Sequence, residues 1–447
     1  MREENFHISL INHASILIEK GDIGLLSDPW YSGSAFHDGW SLIHENTDTE
    51  IKDLLQKVTH IWISHEHPDH FSIGFFKTYK DLVISKNIKL LFQQTKDKRV
   101  INFLQSQKFS VEELQNKKKY TLSKDVSISC IKSSFYDSAL KILAGDKTIL
   151  NLNDCPEREE KDLKRFVETN GLCDILLTQF SYAAWKGGVD NKKWREEAAE
   201  EKIINVKNQA KILGAKYVIP FASFIRFSNK SNAYLNDSLN VPKNLISALQ
   251  DQSFSTLFLK PLERQSIQNL KQERDSLQFW EEMYNKIPEQ DLFKYEKVES
   301  LDYLNESFKQ FKERIFKNNS RFFILLLKQI KLFGAFQPIT LMLKDFNECI
   351  EIDLFSDKLK LVQKEYDISL ESKSLDFIFN NTFGFDTLTV NGCFEEGTNG
   401  GFAKVSKILA LESLNNLGIG IKPSIIFNFS ILATFFNLLS KVTNKIK

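Results

Sequence analysis

The chain has 447 residues, 42% of them hydrophobic and 26% charged, the make-up of a soluble globular protein long enough for two domains. Lys+Arg 59 against Asp+Glu 58 leaves a formal net charge of +1, which argues against a general electrostatic nucleic-acid binder, since such proteins carry a marked basic excess. The five cysteines are widely spaced and form no C-x-x-C pair, so neither a disulfide framework nor a zinc finger is expected.

The first 30 residues alternate as short strands, FHISLI, ASILIE and IGLLSD, with Lys20-Gly21-Asp22 turning between the last two. Residues 51–58 have helical periodicity, HIWIS (60–64) reads as a short buried strand, residues 75–82 as a helix and 89–92 as a strand. Further strands are expected at 126–131, 140–143, 148–152, 174–178 and 216–220, with a charged helix over about 196–213. Strands in sheet-sized groups, separated by helices and opened by antiparallel hairpins, predict a layered α/β sandwich.

After Phe227 the texture changes. Residues 228–242 are rich in Asn and Ser, which suggests a boundary, with one domain over 1–230 and an α-rich region without assigned role over 231–447. Near the end, SIIFNFSILATFFNLL (424–439) precedes Lys441, Lys445 and Lys447. It is about four residues short of a bilayer span and is expected as a core-packed helix, with a membrane-surface helix as the alternative. The N-terminal MREENFHISL lacks a secretory pattern, so a reducing cytoplasm is the expected compartment.

The chemistry is concentrated in His65-Glu66-His67-Pro68-Asp69-His70. On extended chain leaving a strand, His65 and His67 point the same way and can grip one metal ion. Asp69 and His70 follow at the turn and can reach a second. With eight histidines in the chain, an accidental H-x-H-x-D-H is expected on the order of 10⁻⁴ times per chain. Two such ions polarise a substrate oxygen and deprotonate a bridging water near neutral pH. A bridging carboxylate must come from elsewhere: Asp154, just past the strand ILNLN, is the leading candidate and Asp137 a weaker one. Every histidine lies at or before position 70, so later ligands must be Asp, Glu, Tyr, Cys or water. Imidazole and carboxylate together suit two divalent ions, zinc or alternatively iron.

These residues resemble the metallo-β-lactamase superfamily, and within it the CMP-N-acetylneuraminate hydroxylase group near the lactonase-like branch. The resemblance also includes Asn12-His13-Ala14, Asp28-Pro29-Trp30, Gly33-Ser34-Ala35-Phe36 with Gly39-Trp40, Ile149-Leu150-Asn151, Asp154-Cys155 and Pro220-Phe221-Ala222, over roughly residues 5 to 230. It implies a four-layer αββα sandwich with the metals at one edge of the two sheets, followed here by a mostly helical or mixed C-terminal region.

Two departures qualify it. The Cys-x-His and Cys-x-x-His pairs of the hydroxylase's Rieske domain are absent, so an oxygenase would need an external electron donor. The superfamily's later histidines are replaced by Ser133 or Asp137 in one region and Ala222-Ser223 in another. Carboxylate-for-histidine exchange is a feature of some iron-using members.

The first expectation is therefore a hydrolase, with metal-bound hydroxide attacking an ester, lactone, amide or phosphoester of a small polar metabolite. The second is a non-haem iron oxygenase acting on a sugar nucleotide or related metabolite; the third is a non-catalytic binding protein on a decayed site. Metal ligands would be His65, His67, Asp69, His70, Asp154 and Asp137. Asp69 would also orient the water, and His13 would contact substrate or metal ligands as a catalytic residue. Asp28 would orient a ligand histidine. Trp30 and Trp40 would line the pocket or pack in the core, His37 and His44 would lie in surface loops, with substrate binding there as the alternative, His60 would pack in its strand, and Lys186 with Gly187-Gly188 would form a flexible loop or touch an anionic substrate. A small molecule, and no nucleic acid, is the expected partner.

Overall fold

The computed structural model describes residues 6–133, 136–157, 159–330, 334–398 and 400–423; the apolar stretch at 424–439 lies outside them. Two seven-stranded sheets face each other. The first runs, in spatial order, Arg264–Ser266, His7–Asn12, Ser15–Lys20, Ile23–Ser27, His60–Ile63, Lys89–Gln93 and Ser110–Leu114. Its N-terminal strands pair antiparallel, whereas Ile23–Ser27 onward is parallel. The second sheet runs Ser255–Thr256, Tyr217–Phe221, Ile175–Gln179, Lys147–Asn153, Ser138–Ala144, Val126–Lys132 and Lys119–Thr121.

Period-two alternation explains the layering. Ile16, Ile18, Trp62 and Leu91 enter the core between the sheets, while their neighbours Leu17, Ile61, Ile63, Leu90 and Phe92 pack on the outer face. That face is covered by Asp48–Lys57, Ile73–Thr78, Lys80–Ser85 and Arg99–Ser106 through Leu54, Leu55, Phe75, Phe76, Val83 and Leu104. Strands buried on both faces need apolar residues at nearly every position, as HIWI and KLLFQ show. Glu160–Asn170 and Lys192–Ile212 cover the second sheet, burying Leu163, Phe166, Val206 and Ala210. The layers are helix, sheet, sheet, helix. The helix expected over 75–82 is two short helices meeting at Tyr79.

Residues after 230 are divided between two cores. Ser255–Thr256 and Arg264–Ser266 extend the sheets, and Trp280 and Tyr284 complete the sandwich core. A second core, Val298 to Ile421 with Trp185, is built on a five-stranded sheet of Lys360–Val362, Glu348–Ile352, Ile339–Leu343, Ile368–Leu370 and Phe394–Glu396, with helices including Leu301–Asn318, Ser372–Asn380, Gly384–Asn391 and Gly401–Leu409. The C-terminal region is thus mixed rather than simply helical. Its strands are three to five residues long, too short to give a strong alternation signal.

The two lobes are tied through the loop after Ala35. Phe36, His37 and Asp38 are all left-handed, with φ of 51, 55 and 56°, and Gly39 follows with Asn391 so close that a Cβ on it would lie 2.2 Å from that of Asn391. The Asn391 amide donates to the Phe36 carbonyl at 3.0 Å, and the His37 ring stacks between Tyr295 and Phe377. No helix among the described residues is long and apolar enough to cross a membrane.

Candidate metal centre

The His60–Ile63 strand ends at Ser64, and the next six residues loop across the edge of the sandwich. Ser64 anchors that loop. Its amide donates to Asp28 Oδ1 at 2.8 Å, its carbonyl accepts from Ser138 Oγ at 2.7 Å and from Gln93 Nε2 at 3.2 Å, and its hydroxyl accepts from Asn153 Nδ2 at 2.6 Å. Groups from both sheets therefore fix the chain where the donors begin.

Two donor groups converge beyond it. In one, His65, His67 and Asp154 place donor atoms within 4.8 Å of one another; in the other, His13, Asp69 and His70 do the same. The ring nitrogens His65 Nε2 and His67 Nδ1 lie 2.9 Å apart, and Asp137 Oδ1 lies 3.7 Å from His65 Nε2. Asp154 Oδ2 stands between the groups, 3.9 Å from His65 Nε2 and 3.5 Å from His70 Nε2. Asp69 Oδ2 is 3.1 Å from His70 Nε2 and 3.2 Å from His13 Nε2.

The surroundings suit cations. Burial holds the His65 and His67 imidazoles below their usual pKa, leaving neutral rings with lone pairs to donate. Burial opposes charge on His70 as well, but the Asp69 and Asp154 carboxylates outweigh it and raise its pKa. Burial, with the nearby charge of Asp154, pushes the Asp137 carboxyl up to about 8. A cation there would expel that proton, because carboxylate ligands bind deprotonated. Asp69 Oδ1 is buried without a hydrogen-bond partner, and His70 Nε2 faces two carboxylate oxygens, an arrangement that bound metal would relieve. The donor set fits two divalent ions.

Other side chains orient the donors. Asp28, left-handed at φ 37°, receives Ser64 N–H on one oxygen and faces His70 Nδ1 at 3.2 Å with the other, so His70 Nε2 is aimed at the centre. Gln179, the last residue of Ile175–Gln179, donates to Asp154 Oδ1 at 2.5 Å, and Lys202 donates to Gln179 Oε1 at 2.6 Å. Sequence reading missed Gln179 and Asn153, since a polar residue ending a strand carries no signal of its own.

The positions that replace the expected later histidines differ in use. Ser133 turns to Glu157, donating from Oγ at 2.7 Å, while Asp137 faces His65. Ser223 Oγ accepts from the amides of Phe180 and Ser181. Ala222 donates its N–H to the His13 carbonyl at 2.6 Å, so an imidazole from the first hairpin enters beside the position where the resemblance lacks one. Trp30 meets the His13 ring edge-on at 5.5 Å, and Trp40 packs on Phe36 and Phe227. His37, expected in a surface loop, is instead half-buried as the aromatic clamp described above. His44 lies against Phe279 and His60 bonds Thr59. The 187–189 loop is held by Arg195 through the Gly188 and Val189 carbonyls.

No family model matches the chain. It is 23% identical over 274 residues to the cytidine monophosphate-N-acetylneuraminic acid hydroxylase of Danio rerio, covering 57% of this chain and 44% of that protein. Against the same enzyme of Asterias rubens the identity is 43% over 65 residues, 14% of this chain and 10% of that one. The chain thus spans less than half the length of these relatives. Among solved structures, YhfI from Bacillus subtilis, a metallo-beta-lactamase fold protein, aligns over 59% of this chain and 99% of its own, with TM-score 0.40 and 16% identity. CmlA, a diiron beta-hydroxylase from Streptomyces venezuelae, aligns over 59% and 54%, with TM-score 0.40 and 14% identity. Paired mixed sheets between helical layers, with the H-x-H-x-D-H loop at their edge, decide the architecture. The chain has the metallo-β-lactamase fold. Its sequence is similar to the CMP-N-acetylneuraminate hydroxylase group.

Within this metallo-β-lactamase fold, Asp137 provides a direct test of donor chemistry. Carboxylates favour iron or manganese relative to imidazole-rich sets, so Asp137→His is expected to raise zinc retention relative to iron with the fold intact. Competition dialysis of variant and wild type against equal zinc and ferrous iron, without oxygen, reads this out. An identical ratio in both proteins would remove Asp137 from the coordination sphere.

Proposed function

We propose that the chain is a binuclear metal-dependent hydrolase cleaving an ester, lactone, amide or phosphoester bond. The observation that carries this reading is the placement of Asp154 between the nitrogens of two donor groups, each able to hold a cation. His65, His67 and Asp137 would hold one ion, Asp69, His70 and His13 the other, with Asp154 shared. Bound there, the ions would supply a water acidified toward neutral pH and a Lewis acid for the substrate oxygen. Asp69 turns one oxygen to His13 and His70 and keeps Oδ1 buried without a partner, which makes it the group to orient the attacking water. Asp28 holds the His70 ring in register, and Gln179 holds the Asp154 carboxylate. Five free cysteines among the described residues agree with a reducing, cytoplasmic compartment.

A second reading, an iron oxygenase with an external electron donor, is favoured by one observation: the carboxylate of Asp137 faces His65 in a region where the resemblance expects imidazole. The hydroxylase relatives also support it. Metal analysis of protein purified without added metal separates the two. We expect zinc, with turnover of a panel of activated esters, lactones and phosphodiesters. Iron together with reductant-dependent oxygen consumption would transfer the assignment to the oxygenase. Negligible metal that added zinc or iron fails to restore would overturn both in favour of a binding protein.

A further inference from the structure

A cavity of about 950 Å³ opens beside Glu66, His67 and Asp137 and runs away from them between the two lobes. It lies at the upper end of the range for small-molecule sites, roughly 300–1,000 Å³. Its walls are hydrocarbon over most of their length. The sandwich contributes Phe71, Phe92 and Phe103, and the C-terminal lobe contributes Phe336, Leu411 and Leu414. One end thus carries metal donors and the body is apolar.

Four cations (Lys96, Arg99, Lys132 and Lys407) and four carboxylates (Glu66, Asp97, Asp137 and Asp386) line the cavity. Arg99 is committed to Asp97, with Nε 2.7 Å from Oδ2, and its guanidinium lies 4.5 Å over the Phe383 ring. Lys132 donates to the Gln94 carbonyl. A nucleotide or sugar phosphate would call for a cluster of cations converging on its oxygens. Burial pushes the carboxyl of Asp386, on the wall from the C-terminal lobe, up to about 6.

We propose that the cavity binds the hydrocarbon chain of an acyl substrate, with its ester or amide group at His67 and Asp137. The substrate class rests on the hydrolase reading above; the hydrocarbon subsite rests on the cavity walls alone. In the reaction, water's oxygen bonds to the acyl carbon, the C–O or C–N bond breaks, and the proton released passes to the departing alcohol or amine. The products are a long-chain carboxylic acid and that alcohol or amine. This departs from the small polar metabolite expected from the sequence. Hydrophobicity in the cavity is supplied jointly by segments more than 230 residues apart, where no local motif records it.

The test is binding without turnover, using metal-loaded full-length protein and straight-chain fatty acids from hexanoate to tetradecanoate. Affinity is expected to rise about fourfold per added methylene until the cavity is full. Ala403 lines the C-terminal wall, so Ala403→Trp should make the rise stop at shorter chains while metal content stays unchanged. Should that variant misfold, Leu414→Gln, which puts an amide into the same wall, should flatten the slope for long chains. A flat profile in wild type, or preference for a cytidine nucleotide over every fatty acid, overturns the inference and leaves the metal centre intact. So does a profile indifferent to both substitutions. Absent hydrolysis with an intact chain-length profile would instead count against the hydrolase reading only.

Discussion

Asp154→Asn is expected to release one of two metals and to lower turnover at least about a hundredfold, the scale of losing a key electrostatic element. The substitution is conservative in shape. Gln179 donates to Asp154 Oδ1, and an asparagine carbonyl can accept the same bond, so the loop after Lys147–Asn153 keeps its support. What disappears is the negative charge standing 3.5 Å from His70 Nε2 and 3.9 Å from His65 Nε2. Burial alone would protonate that carboxyl, but the charge and hydrogen bond of His70 outweigh it and hold its pKa below the usual range. Metal stoichiometry by elemental analysis, measured beside turnover, is the check. Wild-type values of both would assign the bridge to another residue.

The second large effect concerns stability as well as binding. His67→Ala should remove most bound metal and lower the melting temperature by roughly 5 °C, because a ligand at a hundred times its dissociation constant contributes about 2.7 kcal/mol to the folded state. The imidazole is one of three donors in its group, and its Nδ1 lies beside His65 Nε2. Simple loss of packing would also lower the melting temperature, so the decisive comparison uses a chelator. Chelation should lower the wild-type transition toward that of the variant and leave the variant where it was. Equal chelator shifts in the two proteins would count against His67 as a ligand.

Much of this architecture is legible before any coordinates. Short apolar strands punctuated by Gly-Asp turns announce the hairpins, and HIWIS followed by H-x-H-x-D-H places a donor loop at a strand end. Asp28 stands out because it precedes Pro29 where a strand must stop, and the structure sets it against His70. Convergence across the two sheets is harder to read. Gln179, Asn153, Gln93 and Ser138 serve the site only because their strands end at the same edge, and an isolated polar residue has no spacing to betray that. His13 is instructive. A histidine on a hairpin has no periodicity linking it to Asp69, 56 positions later; its place follows from the pairing of His7–Asn12 with Ser15–Lys20, irregular between Leu10 and Asn12. The C-terminal sheet stayed hidden for a different reason, since its strands are brief and the helices around them dominate the local pattern.

The clamp on the left-handed loop has a consequence for how the protein is made. Phe36 approaches the His67 ring at 5.7 Å, yet the carbonyl of Phe36 is secured by Asn391, a partner 355 residues later in the chain. At synthesis rates of roughly 5–20 residues per second, that partner leaves the ribosome about 20–70 s after the loop it secures. The donors from His13 to Asp154 are all available well before then. Assembly therefore has a built-in order, with the sandwich able to gather its donors while the lobe that walls them in is still being translated. Metal supplied during that interval meets the donors before the C-terminal lobe is in place; metal supplied afterwards meets them beside the finished cavity.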